Sequence, residues 1–213
     1  MLNLTYRKCI PSDVKKAVPL IYASGPDAFS YVFRNKNCSA QDFLSHAFIS
    51  KGGEFSYDNH FVILKDQKII GIGAAFSEKR AKAFMFWDII KILNFYKLSA
   101  FSVMIRGLKI EQVLLLPRKN EVCLAHISIS PDERSKGYGQ LLIEFLMQQK
   151  EAIPDSNFVL DVSEENPRAK SLYERLGFVE KRHISSNLKS NYGYVPNHFR
   201  MEKKGIAFKH SSK

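Results

Sequence analysis

Arg134, Ser135, Lys136, Gly137, Tyr138, Gly139 and Gln140 form a basic turn with two glycines, and their types and spacing suit the capture of an anion. The turn follows Leu124–Ile129, an apolar, β-branched run that alternates as a strand does. Ser130-Pro131-Asp132 stops that run, because proline has no N–H to give a ladder. Beyond the turn, Tyr138, Leu141, Leu142, Phe145 and Leu146 recur at i, i+3, i+4, i+7 and i+8, one face of a helix. The first N–H groups of such a helix lack intrahelical partners, and the macrodipole adds about half a positive charge there. Two glycines alone are equally well explained as a tight turn. The spacing is neither GxGxxG nor GxxxxGK[ST]. It is R-x-x-G-x-G after an I-x-P strand end.

A second stretch runs downstream from Leu160 to Phe178: a strand, then Asn166, Ala169, Tyr173 and a closing Gly177-Phe178. In this order and spacing the two stretches resemble the GNAT superfamily of acyl-CoA-dependent N-acyltransferases. The match is specific over 121–178 and looser elsewhere. The resemblance implies an α/β fold with a mixed, mostly antiparallel sheet of about seven strands flanked by helices. It implies acetyl-CoA as co-substrate and a primary amine, on a small molecule or a protein or peptide, as acceptor. It also implies site roles. The backbone of Ile127, Ser128 and Ile129 would pair with the pantetheine arm where the fourth and fifth strands splay. The N–H groups of Arg134 to Gln140 would hold the pyrophosphate, and Asn166 would contact the cofactor near the splay. Tyr173 would be the general acid for the CoA thiolate, its neutral form carrying a donor O–H.

Many members of that family use a glutamate on the fourth strand as base, whereas the nearest residues here are Ala125 and His126, with Glu121 further up the strand. His126 alternates with Leu124 and Ser128, is expected on their face, and is suited to relay a proton through water. A strand histidine also serves as a plain hydrogen bonder, and some family members let water carry the proton. The segment between the family's first helices borders the acceptor, which makes Tyr31 and Phe33 substrate-contact candidates as well as candidate core aromatics.

The 213 residues allow one domain, 1–213, with a full core. Cys9, Cys38 and Cys123 are few, odd in number and far apart, which disfavours a disulfide framework and points to a reducing, cytoplasmic setting. The N-terminus shows no basic region followed by an apolar run. The net charge of +11 suits an anionic cofactor, but the basic residues are dispersed, so nucleic-acid binding is not expected. No paired Cys/His spacing suggests a metal.

Strands are expected over Leu2–Lys8, His60–Lys65, Lys68–Phe76, Phe158–Val162, Val179–Ser185 and His198–Lys203, and helices over Val14–Ala23, Phe43–Ile49 and after Asn166-Pro167. Ile153-Pro154-Asp155 reads as a turn, Ser186–Asn197 as a polar loop over the acceptor, and the tail beyond Gly205 as a basic end. Residues 78–120 are an insertion between the third and fourth strands. Its apolar run Ala83–Ile105 is long enough for a membrane span, but Asp88, Lys91 and Lys97 lie inside it, each costing about 2.5–3.5 kcal/mol near a bilayer centre. The run is therefore expected as helices packed over the sheet or a homodimer partner, or as a surface anchor for a membrane or an apolar substrate, with Gly107–Pro117 a second amphipathic piece. The alternative to an enzyme is a degenerate acyl-CoA-binding module with a regulatory or interaction role.

Overall fold

The computed structural model describes residues 4–149 and 156–205. Strand β1 (Leu4–Lys8) leads into helices α1 (Val14–Ala23), α2 (Pro26–Phe33) and α3 (Ala40–Phe48). Pro26 sits in the first turn of α2, where its missing N–H costs nothing. Ser39 caps α3, accepting from the Asp42 N–H while the Asp42 carboxylate accepts from the Ser39 N–H. The hairpin of β2 (His60–Lys65) and β3 (Lys68–Ser77) turns through Asp66 and Gln67, both at positive φ, which matches the twist of the two strands. Then come α4 (Glu78–Tyr96), a short turn and α5 (Ala100–Ile110). The chain continues through β4 (Glu121–Ile129), α6 (Tyr138–Met147), β5 (Asn157–Ser163), α7 (Pro167–Arg175) and β6 (Val179–Ile184). A small ribbon, β7 (Lys189–Ser190) and β8 (Gly193–Tyr194), precedes β9 (His198–Lys203).

The main sheet has seven strands in the order β1-β2-β3-β4-β5-β9-β6. Every pairing is antiparallel except β4 with β5. On one face, α6 and α7 bury Leu142, Ile143, Leu146 and Tyr173 against Ile63, Leu124, Leu160 and Met201. On the other, α1, α2 and α3 bury Ile21, Phe43, Leu44 and Phe48 against Val62, Leu64 and Ile72. The insertion joins this second face, with Ile92, Tyr96 and Val103 in the same core and Phe84 edge-on to Phe76.

The single apolar run is thus two helices, broken at Lys97, whose φ of 49° ends α4. No helix among the described residues is long and apolar enough to cross a membrane. Gly107 lies within α5 and does not open a separate element, because the inward face of Ala100 and Val103 carries the helix through it. The Ser186–Asn197 loop folds as the ribbon, with Val195 buried in the core near α2. The turn expected at Ile153-Pro154-Asp155 and the tail beyond Gly205 lie outside the described residues.

Candidate active site

The parallel pair β4–β5 zips only at one end. Glu121, Val122 and Cys123 face Asn157, Phe158 and Val159, and no pairing continues past Cys123. Leu124–Ile129 therefore keeps one edge open while its other edge pairs with β3 through Ile129. The closed end is clamped by Arg200, which donates to the Asp161 carboxylate at 2.8 Å, to Glu121 at 3.2 Å and to the Leu115 carbonyl at 2.8 Å. A strand pair locked at one end and unzipped at the other is a slot with free backbone groups on its wall.

At the open end the chain turns into α6 through Ser135 and Gly137, both left-handed, the latter at φ 83° as N-cap. A side chain at Gly137 would be strained in that conformation. The N–H groups of Tyr138, Gly139 and Gln140 find no acceptor among the described residues. Arg134 is braced by its Nε donating to the Ile129 carbonyl at 3.0 Å, and Lys136 leans back to Asp132 O and Glu133. Helix α7 lies alongside. Arg168 donates to Ser135 Oγ at 2.6 Å, and a Cβ on Gly139 would sit 3.2 Å from Leu172. This is a cradle of unsatisfied N–H groups rimmed by cations, and it fits a phosphate-bearing ligand.

His126 takes a φ of 55°, and the register with β3 slips beside it, Gly73 of β3 facing both His126 and Ile127 of β4. This bulge changes which face the side chain uses. Leu124 packs with α6, as do Ile127 and Ile129 after the bulge, so His126 does not share Leu124's face as alternation alone predicts. It is turned to the opposite face, where its ring stacks on His60 and meets Phe29 and Phe55 at 5.8 and 5.4 Å.

A chain of hydrogen bonds fixes the protons there. His60 Nδ1 lies 2.8 Å from the Ser56 carbonyl, which only accepts, so Nδ1 carries hydrogen. Burial, and then the neighbouring His126, push the His60 pKa down to about 3. Its Nε2 is therefore unprotonated and accepts from His126 Nδ1 at 2.9 Å. What remains is His126 Nε2, 3.3 Å from Glu54 Oε1.

Helix α4 holds Glu54 in place. Asp88 accepts from the Glu54 N–H at 2.9 Å, and Lys91 donates to the carbonyls of Ala47 at 2.9 Å, Ser50 at 3.3 Å and Gly52. Burial raises Asp88 to about 7, and the Glu54 charge adds to that rise. Glu111 is raised by burial and again by Glu54.

The remaining expected residues fall as follows. Tyr173 is buried on the α6–α7 face, edge-on to Phe178, and burial lifts its phenol to about 12. Its hydroxyl makes no hydrogen bond among the described residues. Asn166 caps α7, its Oδ1 accepting from the Ala169 N–H at 3.1 Å. Ser128 is buried on β4. Tyr31 and Phe33 sit in the core, Phe33 stacked on Phe43 at 4.4 Å, while Phe29 of the same helix reaches His126. Cys123 is buried and its thiol is pushed up to about 12, which leaves it no thiolate character. Glu54, His60, Phe29 and Arg168 carry no signature in the sequence; only the fold brings them to the site. No metal-binding group of acidic, His or Cys residues occurs among the described residues.

Residues 34–178 match the model of the Acetyltransferase (GNAT) family. The fold resembles an N-acetyltransferase from Staphylococcus aureus Mu50, with a TM-score of 0.65 and 14% identity over 93% of this chain and 100% of that one. It also resembles the Vibrio cholerae spermidine N-acetyltransferase in complex with CoA and spermine, at TM-score 0.55, 20% identity, and coverage of 94% and 95%. The ribosomal-protein-S18-alanine N-acetyltransferase of Escherichia coli aligns at TM-score 0.52 and 16% identity, covering 99% and 100%. At these identities the neighbours establish the fold alone. A sequence search of curated proteins finds no match.

Proposed function

This chain belongs to the acetyltransferase (GNAT) family, and on that premise we propose that it moves the acetyl group of acetyl-CoA to a cationic primary amine, with His126 as base. The observation that carries the reading is the placement of His126 Nε2 3.3 Å from the Glu54 carboxylate, beside the open edge of β4. When bound, acetyl-CoA supplies an activated thioester carbonyl. The N–H groups from Ser135 through Gln140 would hold its pyrophosphate, that of Arg134 being given instead to the Pro131 carbonyl, and the open edge along Ile127, Ser128 and Ile129 would align its pantetheine arm. The Asn166 amide, whose Oδ1 is spent on the cap, would offer its N–H₂ near the same slot. Holding both reactants in line supplies the proximity contribution.

An amine near pH 7 arrives as an ammonium and must lose a proton before it attacks. Glu54 favours the cation, Phe29 and Phe55 flank its carbon chain, and His126 Nε2 accepts the proton. His60 keeps His126 in the tautomer with Nε2 free. Tyr173, its phenol held protonated by burial, stores at Oη the proton that the departing sulfur needs. Tyr31 and Phe33 would act from behind Phe29, shaping the aromatic wall. Free thiols on all three cysteines fit work in a reducing, cytoplasmic setting.

The test is a thiol-release assay with acetyl-CoA against a panel of monoamines, polyamines and peptide N-termini, with CoA affinity measured by calorimetry on the same preparation. Turnover on a cationic amine is the expected result. CoA binding without turnover across the panel would favour the acyl-CoA-binding module, and no CoA binding would overturn the whole assignment.

A further inference from the structure

We propose that the outward face of the α4–α5 hairpin is a docking surface for an anionic membrane. The inward faces of both helices are already spent. Ala81, Phe84, Ile92, Tyr96 and Val103 fill the core, while Asp88 and Lys91 bond the loop that carries Glu54. The outward faces are nevertheless apolar. Phe86, Ile89 and Leu93 follow one another at i, i+3 and i+7 along α4, and Leu98, Phe101, Ile105 and Leu108 continue the pattern through the turn and α5. Their exposure is large: 62% for Phe86, 70% for Phe101 and 102% for Leu98. Soluble monomers seldom display so continuous an apolar stripe unless something covers it.

The charges around the stripe identify the cover. Lys79, Lys97 and Lys109 are exposed and take no part in an ion pair among the described residues. Lys82 is paired with Glu78, and the other acidic residue of α4, Asp88, is turned inward to the Glu54 N–H. The stripe is thus fringed by cations with no free carboxylate on either helix. A second copy related by a two-fold axis would meet the same surface and set lysine against lysine. An anionic lipid surface complements the fringe, and Phe86, Trp87, Leu98 and Phe101 would enter the headgroup boundary as interfacial helices do. The net charge of +11 adds long-range attraction. Since no described helix is long and apolar enough to span, the hairpin would lie in the interface plane. The inference does not depend on the acetyl-transfer reading.

Co-sedimentation of the full chain with phosphatidylcholine vesicles, with and without phosphatidylserine, tests it. The protein is expected on the phosphatidylserine vesicles and not on the neutral ones, with binding that weakens as salt is raised. Lys79→Gln, Lys97→Gln and Lys109→Gln should each lower partitioning about fivefold. Leu98→Ser/Phe101→Ser should abolish it while melting temperature stays unchanged, because both side chains are solvent-exposed in the free protein. Absence of binding to phosphatidylserine vesicles would overturn the proposal, as would binding that survives Leu98→Ser/Phe101→Ser. A dimer in sedimentation velocity that this double variant splits, with no vesicle binding, would overturn it in favour of a second copy.

Discussion

His60 works in this site by never becoming charged. With its pKa pushed to about 3 it stays neutral at working pH, and its fixed tautomer dictates that of His126. Replacing His126 by Gln should lower kcat by about 10²-fold or more, since positioned proton transfer contributes that much. His60→Phe should leave acetyl-CoA affinity intact yet lower kcat and shift the acidic limb of the pH–rate profile, because His126 Nδ1 loses its acceptor. An unchanged profile would remove His60 from the relay. Tyr173→Phe deletes only a donor hydroxyl from a packed ring and should cost about 10²-fold or more in kcat without loss of stability. Steady-state kinetics beside a thermal melt separates the two quantities.

At the scale of elements, the insertion is part of the site. α4 grips the Ser50–Glu54 loop, and the grip depends on Gly53, which sits at φ 80° with its would-be Cβ pressed against Asp88 Oδ1. Gly53→Ala should cost about 1–2 kcal/mol from the left-handed backbone alone and push Glu54 off its station. Urea unfolding should record the loss, and turnover should fall while the affinity for CoA, proposed above to lie along α6 and β4, is retained. The bulge at His126 is the second such device. It spends a strained backbone position to rotate one side chain through the sheet, which an uninterrupted strand does not achieve.

Across the whole molecule, two buried groups set opposing pH responses. His60 takes up its proton near 6.5 when unfolded but near 3 when folded, so it makes stability fall as pH drops through that window. Asp88 releases its proton near 3.8 when unfolded and near 7 when folded, so it makes stability fall as pH rises through its own window. Between about pH 4 and 6.5 the two slopes cancel. Asp88→Asn should uncover the His60 slope. Relative to the parent, the variant is expected to lose about 1.4 kcal/mol per pH unit on acidification from pH 6.5 to 4. Urea unfolding across that range measures it, and parallel curves would contradict the assignment of either group.

The chain alone determined a good deal, because the governing interactions are local. The i, i+3, i+4 recurrence in Tyr138–Leu146, the stop at Pro131, the glycines of the turn and the order of strands follow from near neighbours, and so do the family motifs. Asp88 and Lys91 also signalled correctly that the apolar run is no span, although the reason lies in the Ser50–Glu54 loop they bind. Tertiary structure decided the rest. The face of His126 hangs on a register slip against β3, which alternation along one strand cannot encode. Its proton partner Glu54 lies 72 residues before it (126 minus 54), and His60 lies 66 before it. Phe29, and not Tyr31 or Phe33, reaches His126, while Phe33 of the same helix stacks on Phe43 in the core. Hydrogen-bond chains that cross a sheet are built from residues distant in sequence, and only the folded chain brings their atoms within 3 Å or so of one another.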